Sequence, residues 1–355
     1  PSGVWIMAYT TIDKPSDYFN TKLYTSTNSE LAISGIGFAP NWVWIKSRSD
    51  AHDHHIYDTV RGATKLLNSL NTDAEATNAQ GLKSFDSDGF TLGTDGNINE
   101  SGNETYASWN WKAGTSFTND ASSTSIGSID SAGSVNTDAG FSITTFTGTG
   151  SAGTVAHGLG AIPKFLVVKS RSNVNGWIVY HASLGAGKGI SINLTDAAFS
   201  TGSRWNSTEP TSTVFSLGTA ADVNRSSGTH VCYAFSEKKG YSKFGSFAGN
   251  GSATDGVFVY LGFKAAWFMC KRTNASGHDW VIFNNKALGY NVDNNTLLAN
   301  DNSAEGTADR MDILSNGIKM YNNNGSENES GGEYVYLAFA ENPFVTSGGV
   351  PATAR

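Results

Sequence analysis

GFAPNWVWIKSR (37–48) is the stretch that decides the fold, because the chain writes it three times. It returns as GLGAIPKFLVVKSR (158–171) and again as GFKAAWFMCKR (262–272). Each version carries an apolar run of about six residues closed by a lysine. That is the length of a strand buried in a sandwich core. With Lys46, Lys169 and Lys271 as anchors, four further landmarks hold register. An aromatic before a small-residue turn (Tyr24, Phe146, Phe247) precedes the anchor by 22, 23 and 24 residues. A second aromatic (Tyr57, Tyr180, Phe283) follows it by 11, 11 and 12. Phe90, Phe215 and Ile318 follow at 44, 46 and 47, and Trp111, Phe235 and Phe339 at 65, 66 and 68. Such register across three copies is an internal repeat, and it sets the domain organisation.

Within each copy the period is that of strands. Tyr106, Ser108 and Asn110 alternate with Ala107, Trp109 and Trp111; Val335, Leu337 and Phe339 alternate with Tyr334, Tyr336 and Ala338. Alternation of this kind in β-branched and aromatic residues means strand. Turn signals punctuate it: Ser87-Asp88-Gly89, Glu100-Ser101-Gly102, Ser227-Gly228, Asn316-Gly317 and Asn324-Gly325. No long 3.6-residue period and no strand–helix alternation is present. The expectation is an all-β chain of three tandem antiparallel β-sandwich modules, jelly-roll or concanavalin-like. The segment 58–71 is the one helix candidate. Its counterparts (184–194 and 288–298) are rich in glycine or asparagine, so a loop leading into a strand is expected there.

The spacing divides the chain into an N-terminal arm (1–17), module 1 (18–114), module 2 (141–240), module 3 (241–344) and a C-terminal tail (345–355). Between the first two modules lies a Ser/Thr/Gly-rich stretch (115–140), either a flexible linker or an extra hairpin. It is expected to set module 1 apart, while modules 2 and 3, joined through EKKGYSK (237–243), pack closely. The two ends are expected to be arms that contact neighbours.

Composition narrows the function. The chain has 355 residues, with 40 glycines, 12% aromatic residues and a formal charge of −7 without long charge runs. The aromatic mass argues against disorder. The charge offers no footprint for nucleic acid or an anionic membrane surface, and no apolar stretch reaches the length of a membrane helix. The opening PSGVWIMAYT lacks the basic and apolar regions of a secretion signal. Cys232 and Cys270 sit in apolar runs and read as small buried hydrophobes, so they say nothing about an oxidising compartment.

Motifs of catalysis and cofactor binding are weak. GTGSAG (148–153) matches a dinucleotide fingerprint in letters only: strand-like residues follow it, so a hairpin turn is expected. Asp86-Ser87-Asp88-Gly89 has the opening of a calcium loop but lacks the distal glutamate and reads as a turn. His52, Asp53, His54 and His55 form the one histidine cluster. Imidazole and carboxylate suit Zn²⁺ or Ni²⁺, yet the slot varies between copies and reads as an exposed loop tip. Trp205, in SRWNST (203–208), reads as a loop aromatic able to stack on a sugar. His52, His54, His55 and Trp205 are therefore the candidate ligand-binding residues; no catalytic residue, metal site or cofactor is nominated. The anchor lysines are expected to turn their charge to water at the strand end. The N-x-S/T triplets at Asn99, Asn103, Asn193, Asn206, Asn274 and Asn328 read as products of composition rather than glycosylation sites.

The phrases YFNTKLYT (18–25), DTVRGATKLL (58–67), SFDSDGFTLGT (84–94), SGNETYASWNWKAG (101–114), YHASLGAGK (180–188) and YVYLAFAENPF (334–344), with the repeated anchor strands, resemble a family of marine tailed-bacteriophage proteins. The third copy departs from it where VRGATK is replaced by KALGYN (286–291). The resemblance implies a virion component with a lectin-like or jelly-roll fold, in a tail fibre or another appendage. It also implies partners: other virion proteins, further copies of the chain in a homo-oligomer such as a trimer, and host-surface glycan. A secreted array of carbohydrate-binding modules and a polysaccharide depolymerase are the other expectations.

Overall fold

The structure is a computed structural model that describes residues 9–287, 291 and 293–353. It is all-β and antiparallel throughout its sheets. In copy 1 the anchor strand Trp42–Ser47 lies between the last strand, Thr105–Trp111, and the strand His55–Asp58, and the first strand, Phe19–Thr25, flanks Thr105–Trp111. Copy 2 repeats this with Phe141–Thr147, Thr229–Phe235, Phe165–Ser170 and Trp177–His181. Copy 3 repeats it with Ser242–Ala248, Glu333–Pro343, Phe263–Arg272 and Trp280–Asn284. Even the register recurs: Trp42 faces Trp111, Phe165 faces Phe235, and Trp267 faces Phe339.

A smaller outer sheet covers each of these four-stranded sheets. It is Leu31–Ser34 with Gly89–Leu92 and Leu82–Asp86 in copy 1, and Gly153–Ala156 with Val214–Leu217 in copy 2. In copy 3 Phe258–Tyr260 pairs with Gly317–Met320, and Gly306–Leu314 and Asp293–Leu298 carry the sheet round to Trp280–Asn284.

Period two sends alternate residues to opposite faces. Val43 and Ile45 point into copy 1, against Ile33, Phe90, Leu92 and Tyr106. Leu166 and Val168 do the same in copy 2, and Phe268 and Cys270 in copy 3. The other face of every inner sheet enters one core common to all three copies. There Trp42, Trp44, Trp109 and Trp111 meet Phe141, Phe165, Tyr233 and Phe235 from copy 2 and Phe244, Trp267, Met269 and Phe339 from copy 3. Trp42 stacks on Tyr233 at 4.6 Å, Phe19 stacks on Phe339 at 5.2 Å, and Trp111 stands edge-on to Trp267 at 5.8 Å. Both faces of the anchor strands are thus buried, which is why their sequences run apolar without alternation. A void of about 10 Å³ remains where the three sheets converge. Its lining is almost wholly apolar, the kind of space that stays dry.

Several expectations are corrected by this arrangement. Copy 1 does not stand apart: it shares its core equally with the other two. The 115–140 stretch is the extra hairpin, with Thr115–Asn119 and Ser131–Asn136 extending the copy 2 sheet beyond Phe141–Thr147. GTGSAG is no hairpin turn but the crossing from the inner to the outer sheet of copy 2. The described parts of both ends pack on the chain itself. Ile12 is buried in the common core, Tyr9 donates to the Gly262 carbonyl at 2.6 Å, and the Asp13 carboxylate receives the Ser347 N–H at 2.6 Å. The 58–71 segment is a loop leading into the short strand Lys65–Leu66, as expected. Its copy 3 counterpart ends in the strand Asp293–Leu298, with residues 288–290 and 292 outside the described residues.

Candidate functional site

The anchor lysines depart first from expectation. Each closes a core strand, yet each is fully buried. Lys46 donates to the carbonyl of Asn302 at 3.1 Å, Lys169 to that of Thr72 at 3.1 Å, and Lys271 to that of Thr195 at 3.0 Å. Copy 1 thereby grips copy 3, copy 2 grips copy 1, and copy 3 grips copy 2, so the ring closes. The expected turn to water fails because a neighbouring loop covers each strand end. Burial pushes all three ammonium groups down to about 8; carbonyl dipoles stand in for lost water.

Eight or nine residues after each anchor a second donor crosses the same seam. The Trp177 indole N–H reaches the Asn68 carbonyl at 2.7 Å, and that of Trp280 reaches Ser191 at 2.8 Å. In copy 1 the slot holds His54, whose Nε2 donates to the Leu298 carbonyl at 2.8 Å. Its Nδ1 accepts the Trp44 indole N–H at 2.7 Å. Since the indole only donates and the carbonyl only accepts, the tautomer is fixed and the ring is neutral. Burial, with the Lys46 charge acting in the same direction, pushes His54 down to about 3.

Two seams add a bidentate ion pair: Arg48 on Glu305 and Arg171 on Glu75. In the third seam Thr273 and Ala198 stand at these places and keep only the backbone hydrogen bond, at 2.9 Å. Glu75 also meets Arg61, which is buried against Asp58 at 2.5 Å, and Asp58 accepts the hydroxyl of Tyr233 from copy 2 at 2.7 Å. The DTVRGATKLL phrase is therefore interface machinery.

On the outside of copy 1 a polar cavity of about 300 Å³ opens beside this seam. Asp53, His55, Asn68, Asp73, Asn78 and Asp95 line it, with Leu66, Leu67 and Ala74 as apolar wall. The Asn68 amide donates to Asp53 at 2.9 Å, and the Asn78 amide donates to Asp95. Asp95 also caps the short helix Gly96–Asn99 by accepting the Asn97 N–H at 2.8 Å. His55 is almost wholly buried at the floor, its Nδ1 3.1 Å from the Tyr57 hydroxyl and its Nε2 4.0 Å from Asp95. Burial lowers its basicity, while the neighbouring carboxylates of Asp95 and Asp53 oppose that effect.

A family description spans all of this: the domain of unknown function DUF7483 matches residues 14–343. The chain belongs to the DUF7483 family. The DUF7483 match runs from the first copy through the third, so the unit it describes is the whole ring rather than one copy. No curated protein matches the chain.

Within this DUF7483 chain the sequence-derived candidates scatter. Trp205 is buried, edge-on to Tyr180 at 6.0 Å in the copy 2 core; it offers no ring to a sugar. His52 pairs with Glu100 at 2.6 Å near the surface. His54 and His55 are buried rather than on an exposed tip, because the tip folds back over the seam. His54 belongs to the seam, and His55 alone enters the cavity. Among the described residues no group of three or more His, Cys, Asp or Glu is placed to hold a metal ion, and no helix is long and apolar enough to cross a membrane.

Sequence reasoning missed a repeated asparagine. Asn99, Asn224 and Asn328 are fully buried. Each amide oxygen accepts a backbone N–H from the loop that leaves the first strand: Thr27 at 2.8 Å, Thr149 at 2.8 Å and Asn250 at 3.1 Å. Each NH₂ returns two bonds to carbonyls, such as Ser151 and Gly218 at 2.7 Å. All three stand in N-x-S triplets, so those triplets are structural. The signal was their nearly constant interval after the anchor lysine.

Proposed function

We propose that the chain is a structural component of a tailed-phage particle, a fibre or surface appendage that presents a preassembled three-lobed head to glycans on the host surface. The observation that carries this reading is the closed ring of seams around one aromatic core. A ring of that kind is a rigid scaffold: its strands and seam donors repeat, while its outer loops differ from copy to copy. Scaffolds that hold their frame and vary their loops are the common basis of recognition surfaces. The resemblance of its phrases to phage proteins supplies the particle. We take each copy as a concanavalin-like or jelly-roll sandwich, in keeping with its two facing sheets. Three lobes in one chain suit a threefold partner, such as the axis of a trimeric fibre.

A secreted array of separable carbohydrate-binding modules fits less well. Each copy alone would expose the aromatic face that it now gives to the common core. The reading is tested by locating the chain in intact particles with a specific antibody and by probing a glycan array with the whole chain. Label on an appendage together with saturable glycan binding is the expected result. Absence from particles would remove the virion assignment, and a blank array would remove the glycan.

A further inference from the structure

We propose that the copy 1 cavity binds one neutral sugar unit, with a ligand hydroxyl bridging His55 Nε2 and Asp95 Oδ1. The proposal rests on the glycan-binding reading above and names its place and chemistry.

The three copies act as internal controls for one another. The slot of His55 is Ile178 in copy 2 and Val281 in copy 3, both buried in the core of their own copy. Asp95 stands immediately before a four-residue helix; the matching residue is Ala220 in copy 2 and Asn324 in copy 3, whose amide oxygen accepts the Ser326 N–H at 2.8 Å as Asp95 accepts that of Asn97. The fold is therefore satisfied by an aliphatic residue in the His55 slot, and by Ala220 in the Asp95 slot of copy 2. A buried imidazole facing a carboxylate is a departure that folding does not require, and burying polar groups carries a cost.

The hydrogen bonds then fix what the cavity presents. Burial keeps the Tyr57 hydroxyl protonated. His55 Nδ1 lies 3.1 Å from that hydroxyl, and we assign the hydroxyl proton to it. The imidazole proton is thus on Nε2, directed into the cavity. Asp95 Oδ1 lies 4.0 Å away, too far for a direct hydrogen bond. A donor and an acceptor held at that separation are joined by a group that accepts from one and donates to the other. A hydroxyl does both; an ammonium or a carboxylate does one. Asn68 and Asn78 stand beside the pair as further amide partners, and Leu66 and Ala74 offer a wall for the C–H face of a ring. Asp53, Asp73 and Asp95 crowd the same space, which disfavours acidic sugars. The volume lies at the small end for ligand cavities, the scale of one ring.

The test uses the whole chain and two substitutions that its sister copy already tolerates, His55→Ile and Asp95→Ala, singly and together. Titration calorimetry and amide chemical-shift mapping with a panel of free neutral hexoses and one uronic acid give the readout, with a thermal melt as fold control. At least one neutral hexose is expected to bind saturably and to shift resonances around Asn68 and Asn78. The double substitution is expected to weaken it about tenfold or more, and the uronic acid to bind less well. Glycan-array binding that persists undiminished in the double variant would overturn the site while sparing the glycan reading. Hexose binding that chelator abolishes would overturn the direct hydroxyl bridge, since a cation would then be the contact. No shift with any sugar at high concentration would overturn the proposal whatever the array shows.

Discussion

Trp44 and His54 together occupy the space that Val167 and Trp177 fill in copy 2 and Met269 and Trp280 fill in copy 3. The large ring has moved from the second slot to the first, and the seam donor has shrunk to an imidazole. Volume-conserving exchanges cost little, whereas overpacking costs about 1–3 kcal/mol. His54→Trp alone should therefore destabilise by that amount, and Trp44→Val alone by about 3 kcal/mol. The double substitution should restore most of the loss, read as a coupling energy in a denaturant double-mutant cycle. The same histidine carries a pH consequence. Burial holds His54 at about 3 and His157, His181 and His230 at about 4. Unfolded, each titrates near 6.5. Between these values the unfolded chain binds more protons, so the histidines' contribution to stability is full above about pH 6.5 and is lost as pH falls toward 4. The urea midpoint should drop steeply across that window, and less so in the Trp44→Val/His54→Trp protein.

At the scale of elements, the loop that leaves each first strand is held by one buried asparagine. Asn224→Ala would strand the Thr149 N–H and the Ser151 and Gly218 carbonyls, and should cost about 2–3 kcal/mol in denaturant melts. Asn224→Asp should recover little, because a carboxylate cannot donate to two carbonyls. The strands themselves were legible from the sequence: apolar runs, period two and turn residues sufficed to place the anchor and final strands of all three copies. The seams were not. Trp-Val-Trp-Ile-Lys reads alike whether the strand end meets water or a neighbour's carbonyl, since nothing local distinguishes a solvated lysine from a gripped one. Trp205 was misread for a related reason. Its polar neighbours signal a loop, and only the tertiary path tucks that loop under Tyr180. His55 was found for its residue type, while Asp95, its partner across the cavity, lies far along the chain and gave no local signal.

For the whole molecule the common core decides cooperativity. Removing one copy exposes large aromatic faces on the other two, so partial unfolding has no stable product. Calorimetry should show one transition with matching calorimetric and van't Hoff enthalpies. Residues 141–240 expressed alone should aggregate or remain unfolded, as judged by circular dichroism and light scattering. Three separate transitions would contradict the shared core. The seam between copies 3 and 2 has Thr273 and Ala198 in place of an ion pair and holds instead the Gly277 N–H on the Thr195 carbonyl and the Ala197 N–H on Ser276, both at 2.9 Å. That the ring is one covalent chain has a consequence in mass action. A ring of three separate subunits falls apart as the third power of its concentration is diluted away. Here each copy meets its neighbours at an effective concentration set by short connecting segments. The ring therefore stays closed at any dilution, down to a single molecule.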